Sequence, residues 1–198
     1  MRVRGLVFAV LALLVSDPCG AWADGRAGRS VDLELVLAVD ASGSITTGTL
    51  EFQLRGHAAA FRDPQVADAL TVGGNRAIAV TLVQWAGPNT LETVVPWTRI
   101  ADPADAKRFA DSIADMTRPP RDGSTAMGSA VDRAVELFDG NGFTAPRHVI
   151  DICSNGFSNA GVEVSGARDR AVARGVTINA LAILDEYDWL EEYYVESV

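Results

Sequence analysis

The chain has 198 residues, 48% of them hydrophobic and 22% charged, and its 26 acidic against 17 basic side chains leave a formal charge of −9 at pH 7. That balance repels nucleic acid and anionic lipid, and no basic stripe relieves it, so proteins, cations and neutral surfaces are the partners it leaves. The length suits one domain with a sizeable core.

The first 23 residues read as an address. Arg2 and Arg4 precede the apolar run Gly5–Val15, and Ala21-Trp22-Ala23 ends in small residues suited to cleavage. The run is too short to span a bilayer, for which about 20 residues are needed. A periplasmic or secreted protein without a transmembrane segment is expected. Removing residues 1–23 takes away Arg2, Arg4 and Asp17, a net +1, and leaves 175 residues with charge −9 − 1 = −10. Cys19 goes with that segment, so Cys153 has no internal partner and reads as a small buried hydrophobe. Residues 24–30 are polar and glycine-rich, a linker, and the domain is expected over 31–198.

The next stretch begins with alternation and becomes continuously apolar from Leu35 to Val39, ending at Asp40. Such a pattern predicts a strand covered on both faces in its second half, as in a parallel sheet. Residues 76–86, 147–154 and 176–184 read the same way. Residues 91–98 form a shorter strand, placed at an edge by Pro96. Helices are predicted over 49–62, with Leu50, Leu54, Ala58 and Phe61 on one face, and over 103–116, with Ala106, Phe109, Ala110, Ile113 and Met116 inward. Asp102 and Pro103 are its start signal. Further helices are expected over 125–138, with Met127, Val131, Ala134 and Phe138 aligned, and over 160–174, ended by Gly175. The alternation predicts an α/β fold: an open, mostly parallel, doubly wound sheet, Rossmann-like, with one antiparallel edge strand and helices on both faces.

In such sheets ligands bind outside the carboxyl ends of the strands. Asp40 lies at one such end, followed at alternate positions by Ser42 and Ser44. One carboxylate and two hydroxyls are hard oxygen donors, suited to Mg²⁺, Mn²⁺ or Ca²⁺ and poorly suited to Zn²⁺ or Cu²⁺. Capping of the following helix is the competing reason for these residue types.

The segment Val36–Ile45 resembles the first part of the metal-ion-dependent adhesion site of von Willebrand factor type A domains, an Asp-x-Ser-x-Ser after the first strand. Residues 121–131 are similar to the second part, with Thr125 as the implied ligand. Within that family the later segments, 148–161 and 177–184, look closest to a bacterial branch of secreted proteins of unknown function. The resemblance implies a metal set of Asp40, Ser42, Ser44, Thr125 and Asn155. It implies a protein partner whose acidic group completes the coordination of a Mg²⁺, Mn²⁺ or Ca²⁺ ion. Two departures stand out. Asn155 replaces the aspartate usual in the third segment, which lowers the charge attracting the ion, with Asp122 as the nearby compensating carboxylate. The family's fold also ordinarily continues with one more strand and a final helix, so a shortened C-terminus is expected.

Two other function classes compete. A scaffold that keeps the fold without the ion is consistent with Asn155. A hydrolase lacks a base beside a nucleophile in the sequence, and neither a nucleophile elbow nor a phosphate-binding loop occurs. Structural roles are expected for His57 and His148, pairing of Asp151 with Arg147 or backbone donors, packing for Trp85 and Trp97, and a solvated helix face for the acidic tail 185–196, with a contact surface formed by Tyr187, Trp189, Tyr193 and Tyr194 as the alternative.

Overall fold

A computed structural model of the chain describes residues 28–115 and 123–198. The expected signal segment 1–23, most of the expected linker, Met116 and Asp122 lie outside the described residues.

Thirteen elements occur among the described residues. A short strand β1 (Arg29–Ser30) leads into β2 (Leu33–Asp40), and then come helices α1 (Thr47–Arg62) and α2 (Pro64–Ala69). Strands β3 (Ile78–Trp85) and β4 (Leu91–Ile100) follow, then helices α3 (Pro103–Ala114) and α4 (Met127–Glu136). The chain continues through β5 (Phe143–Thr144), β6 (His148–Ser154), α5 (Val164–Ala173), β7 (Val176–Ala182) and α6 (Leu190–Ser197). The main sheet has the order β4-β3-β2-β6-β7, parallel throughout except for the antiparallel edge pair β3–β4. This is the predicted α/β architecture, including the antiparallel edge. The predicted boundaries hold to within a few residues, the largest departure being the start of the 160–174 segment, whose helix begins only at Val164.

The central strand β2 is buried from Glu34 to Asp40 because each of its faces has its own cover. Leu35, Leu37 and Val39 pack against α1 and α3 through Leu50, Leu54, Phe61, Phe109 and Ile113. Val36 and Ala38 face the other way, toward Met127 and Val131 of α4 and Ala167 of α5. Each fully buried aliphatic side chain contributes about 1.5–3 kcal/mol, so the two clusters are the bulk of the driving force. Phe61 and Phe109 meet edge to face at 4.7 Å and tie α1 to α3.

Local chemistry sets the helix ends. The Asp102 carboxylate accepts from the Asp105 amide at 2.8 Å, with Pro103 at the first helical position. Asp102→Ala should therefore cost about 1 kcal/mol and lower the melting midpoint by about 2–4 °C, read by circular dichroism. Asp63 and Pro64 repeat the arrangement one helix earlier and start α2, which was not predicted, being six residues long with only Ala67 buried. Gly175, at φ +76°, takes the left-handed position that stops α5.

Two expectations are corrected. Asp151 does not pair with Arg147; its Oδ1 accepts from Asn179 Nδ2 at 2.6 Å across the β6–β7 pair, where the two residues are in register. The acidic tail is not wholly a solvated face, because Leu190 and Tyr194 of α6 are buried in the second core cluster. Trp85 lies in that core, fully buried, and Trp97 packs near Phe138 and Phe143.

The two borders of the sheet differ. β4 carries Glu92, Pro96 and Arg99, and its pairing with β3 is interrupted by register shifts on either side of Leu82. β7 carries no charged side chain, and Thr177, Asn179 and Leu181 on one face are exposed.

Candidate metal centre

The chain passes from β2 to β3 on one side and returns to β6 on the other, so the carboxyl end of β2 is a switch point of the sheet. Asp40 sits there, fully buried. Its Oδ1 accepts from the Ser42 amide at 2.7 Å and its Oδ2 from the Ser154 hydroxyl at 2.5 Å. Burial pushes the Asp40 carboxyl above its ordinary pKa, and the hydrogen bonds from Ser154 and Ser42 pull against that shift. The carboxylate is thus held in one orientation by donors from the loop after β2 and from the end of β6.

Three loops meet above it. The loop after β2 presents Ser42 and Ser44, whose hydroxyls are 3.5 Å apart. Thr125, before α4, places Oγ1 3.2 Å from Ser42 Oγ. Asn155, after β6, brings Oδ1 to 3.5 Å from Ser44 Oγ. All five residues expected from the sequence are therefore brought together, Asp40, Ser42, Thr125 and Asn155 buried and Ser44 exposed. Thr125 does not cap its helix: the N-cap is Ala126 and no side chain closes that end.

The loops are fixed to one another by backbone. The Gly43 amide donates to the Gly123 carbonyl at 2.9 Å, and a Cβ on Gly43 would lie 2.9 Å from that oxygen, so only glycine permits the approach. Asn159 anchors Thr125 from both sides, its Oδ1 accepting from Thr125 N at 2.9 Å while its own amide donates to Thr125 O at 2.8 Å. Gln53 of α1 donates to the Asp40 carbonyl at 3.1 Å. Tyr194 of α6 donates its hydroxyl to the Gly156 carbonyl at 2.9 Å. Sequence reasoning missed Ser154, Gln53, Asn159 and Tyr194. Ser154-Asn155-Gly156 offered a signal for the first; the others act over long sequence separations that leave none.

The donor set fits a small hard cation. Among the described residues no three His, Cys, Asp or Glu side chains form a cluster; the donors are one carboxylate, hydroxyls and an amide oxygen. Cis ligands on an octahedral ion are about 2.9 Å apart at Mg²⁺ bond lengths and about 3.3–3.7 Å at those of Ca²⁺. Of the observed spacings, 3.5 Å falls in the Ca²⁺ range and 3.2 Å between the two ions, so a smaller ion such as Mg²⁺ would draw the hydroxyls closer together.

A nucleophile and a base do meet elsewhere. Cys153 Sγ lies 3.7 Å from His57 Nε2 and 3.0 Å from Gln53 Oε1, to which it donates. Burial pushes the thiol up to about 12 and the imidazole below its ordinary value, so both are neutral at pH 7. In a Cys19→Ser chain, Ellman's reagent at pH 8 should leave Cys153 unmodified until denaturant is added; rapid labelling of the folded protein would contradict this environment.

Residues 30–198 match the family described as "Protein of unknown function (DUF1194)". No curated protein matches the chain. Among solved structures, proximal thread matrix protein 1 from the mussel byssus is similar, with TM-score 0.58 and 23% identity over 78% of this chain and 38% of its own. This chain thus spans well under half of that protein, which has also been solved with a zinc-occupied MIDAS (metal-ion-dependent adhesion site) motif. Manganese-loaded TRAP protein of Plasmodium vivax is similar at TM-score 0.51 and 15% identity, over 80% of this chain and 61% of its own. The pilus adhesin SpaC of Lactobacillus rhamnosus GG aligns at TM-score 0.50 and 13% identity, over 81% and 26%. At these identities the likeness is one of fold.

Proposed function

Because the chain belongs to the DUF1194 family, defined without an activity, and has a von Willebrand factor type A-like fold, we propose that it is a divalent-cation-dependent protein-binding module. Asp40, Ser42, Ser44 and Thr125 would hold the ion, with Asn155 acting through its amide oxygen. The bound ion supplies an electrophilic position open to an acidic side chain of a protein partner. The chain's own residues orient the donors, exclude water from beneath Asp40 and hold the three loops in register. The observation that carries this reading is the convergence of hydroxyls from two loops, Thr125 on Ser42 and Ser42 on Ser44, over a buried and immobilised carboxylate. The zinc-occupied motif of the mussel protein and the manganese of the Plasmodium protein support a divalent ion in this fold.

Mg²⁺ is the ion we favour, with Mn²⁺ and Ca²⁺ compatible with the same oxygens. Residues 1–23 would direct export to the periplasm or beyond, and the domain would run from residue 31. No helix among the described residues is long and apolar enough to cross a membrane. The buried, neutral state of Cys153 and His57 supports binding over catalysis.

A second reading, a scaffold without the ion, is favoured by one observation. The hydroxyls of Thr125, Ser42 and Ser44 and the Asn155 amide satisfy one another, so the loops close without a cation. Calorimetric titration with Mg²⁺, Mn²⁺ and Ca²⁺ separates the two. The binding module should give saturable heat and partner capture that EDTA removes; no heat with any of the three ions would leave the scaffold.

A further inference from the structure

Beside the candidate metal centre stands a cluster of aromatic rings, packed against the third loop of the site. Phe157 follows Asn155 by two residues and stacks near Tyr187 at 5.6 Å and Trp189 at 5.7 Å. Tyr187 and Trp189 are 5.1 Å apart, and Tyr193 lies 6.5 Å from both Phe157 and Trp189. The cluster is tied to the third loop of the site: the Ser158 amide donates to the Tyr193 hydroxyl at 3.3 Å, and Tyr194 holds Gly156. Its base is packed on the core, yet Phe157 is 37% and Trp189 43% exposed.

The segment that carries three of these rings is acidic. From Gly175 to Val198 the chain has no Lys or Arg, and the exposed Glu186 and Asp188 flank Tyr187. Aromatic faces attract cations through their quadrupole, and an anionic rim adds to that attraction while repelling anionic partners. The Glu186 carboxylate accepts from the Tyr187 hydroxyl, which holds its negative charge beside the ring.

We infer that the Phe157–Tyr187–Trp189 surface is a cation subsite, which takes a Lys or Arg side chain of the protein partner whose acidic group approaches the ion. The inference rests on the proposed metal-dependent recognition for the placement of that acidic group, and on the aromatic surface alone for the cation. Phe157 is two residues from Asn155, at most about 7 Å along the backbone. The partner's acidic and basic residues are therefore neighbours in sequence or on one face.

Three acetylated, amidated glycine pentapeptides test this on the full chain: one with Asp and Arg two residues apart, one with Arg replaced by citrulline, and one with Asp replaced by Asn. Binding is followed by tryptophan fluorescence, with Trp189→Phe identifying the signal from that ring. In Mg²⁺ the Asp/Arg peptide should bind about two- to fivefold more tightly than the Asp/citrulline peptide, as one exposed cation–π contact supplies. Phe157→Ala, checked for folding by circular dichroism, should erase that advantage and leave citrulline-peptide binding unchanged. In EDTA the Asn/Arg peptide should still perturb Trp189 at millimolar concentration, less so at high salt. If that last response persists while Mg²⁺ has no effect on any peptide, the metal reading falls and the cation subsite stands. Equal responses to Arg and citrulline peptides overturn the subsite.

Discussion

Replacing Asp40 by Asn should abolish divalent-ion binding, by at least about a hundredfold, while leaving the fold intact. Asp40 is the one carboxylate among the five converging donors, and even residues acting through another ligand typically change metal affinity 10–100-fold. The two carboxylate oxygens accept from Ser42 N and Ser154 Oγ. An amide of the same shape keeps one such acceptor and removes a charge that burial makes costly. Asp40→Ala should lose the ion equally but leave the buried Ser42 amide without its partner, a cost of about 1–3 kcal/mol. The pair therefore separates chemistry from stability. Calorimetry should show no Mg²⁺ binding in either variant, and melting should show a lower midpoint for Asp40→Ala than for Asp40→Asn. Wild-type affinity in Asp40→Asn would remove the carboxylate, and with it the proposed site, from the account.

Asn155→Asp should act in the opposite direction, strengthening Mg²⁺ binding about 10–100-fold. Asn155 is buried, its Oδ1 3.5 Å from Ser44 Oγ, next to Ser154 at the end of β6, which already contacts Asp40. A second carboxylate there adds attraction for the ion but also places like charges together in a desolvated pocket when the ion is absent. The expected signature is thus double: a lower melting midpoint than wild type in EDTA, and a larger rise on adding Mg²⁺, as linkage requires when affinity increases. A variant whose midpoint falls in EDTA and does not recover with Mg²⁺ would show that this loop does not face the ion.

Much of the fold was legible because burial on both faces leaves a trace in the residues themselves. The run ending at Asp40 is apolar because β2 lies between two helical layers, and the helix faces through Leu50 and Phe109 repeat at the period their packing demands. The same reasoning misjudged residues 176–184, whose apolar run belongs to a border strand with Leu181 63% exposed. An apolar run records the side chains and not the neighbours. The parallel pair β1–β5 was invisible, two residues on each side joined over more than a hundred positions. At the site, the five donors were legible through local spacing and resemblance. Their supports were not: Gln53, Asn159 and Tyr194 are ordinary polar residues until the fold aims them at Asp40, Thr125 and Gly156.

The unlike borders of the main sheet set the symmetry open to any association through strands. β4 is closed to extension by Pro96 and its broken register, whereas β7 presents an uncharged ladder of backbone groups. Two copies related by a two-fold axis through Asn179 would pair β7 antiparallel and consume both open borders at once. Such a contact is isologous and complete at two. Head-to-tail addition needs a receptive border on each side of every copy; the described residues offer one, so strand pairing through them leads to closure and not to a fibre.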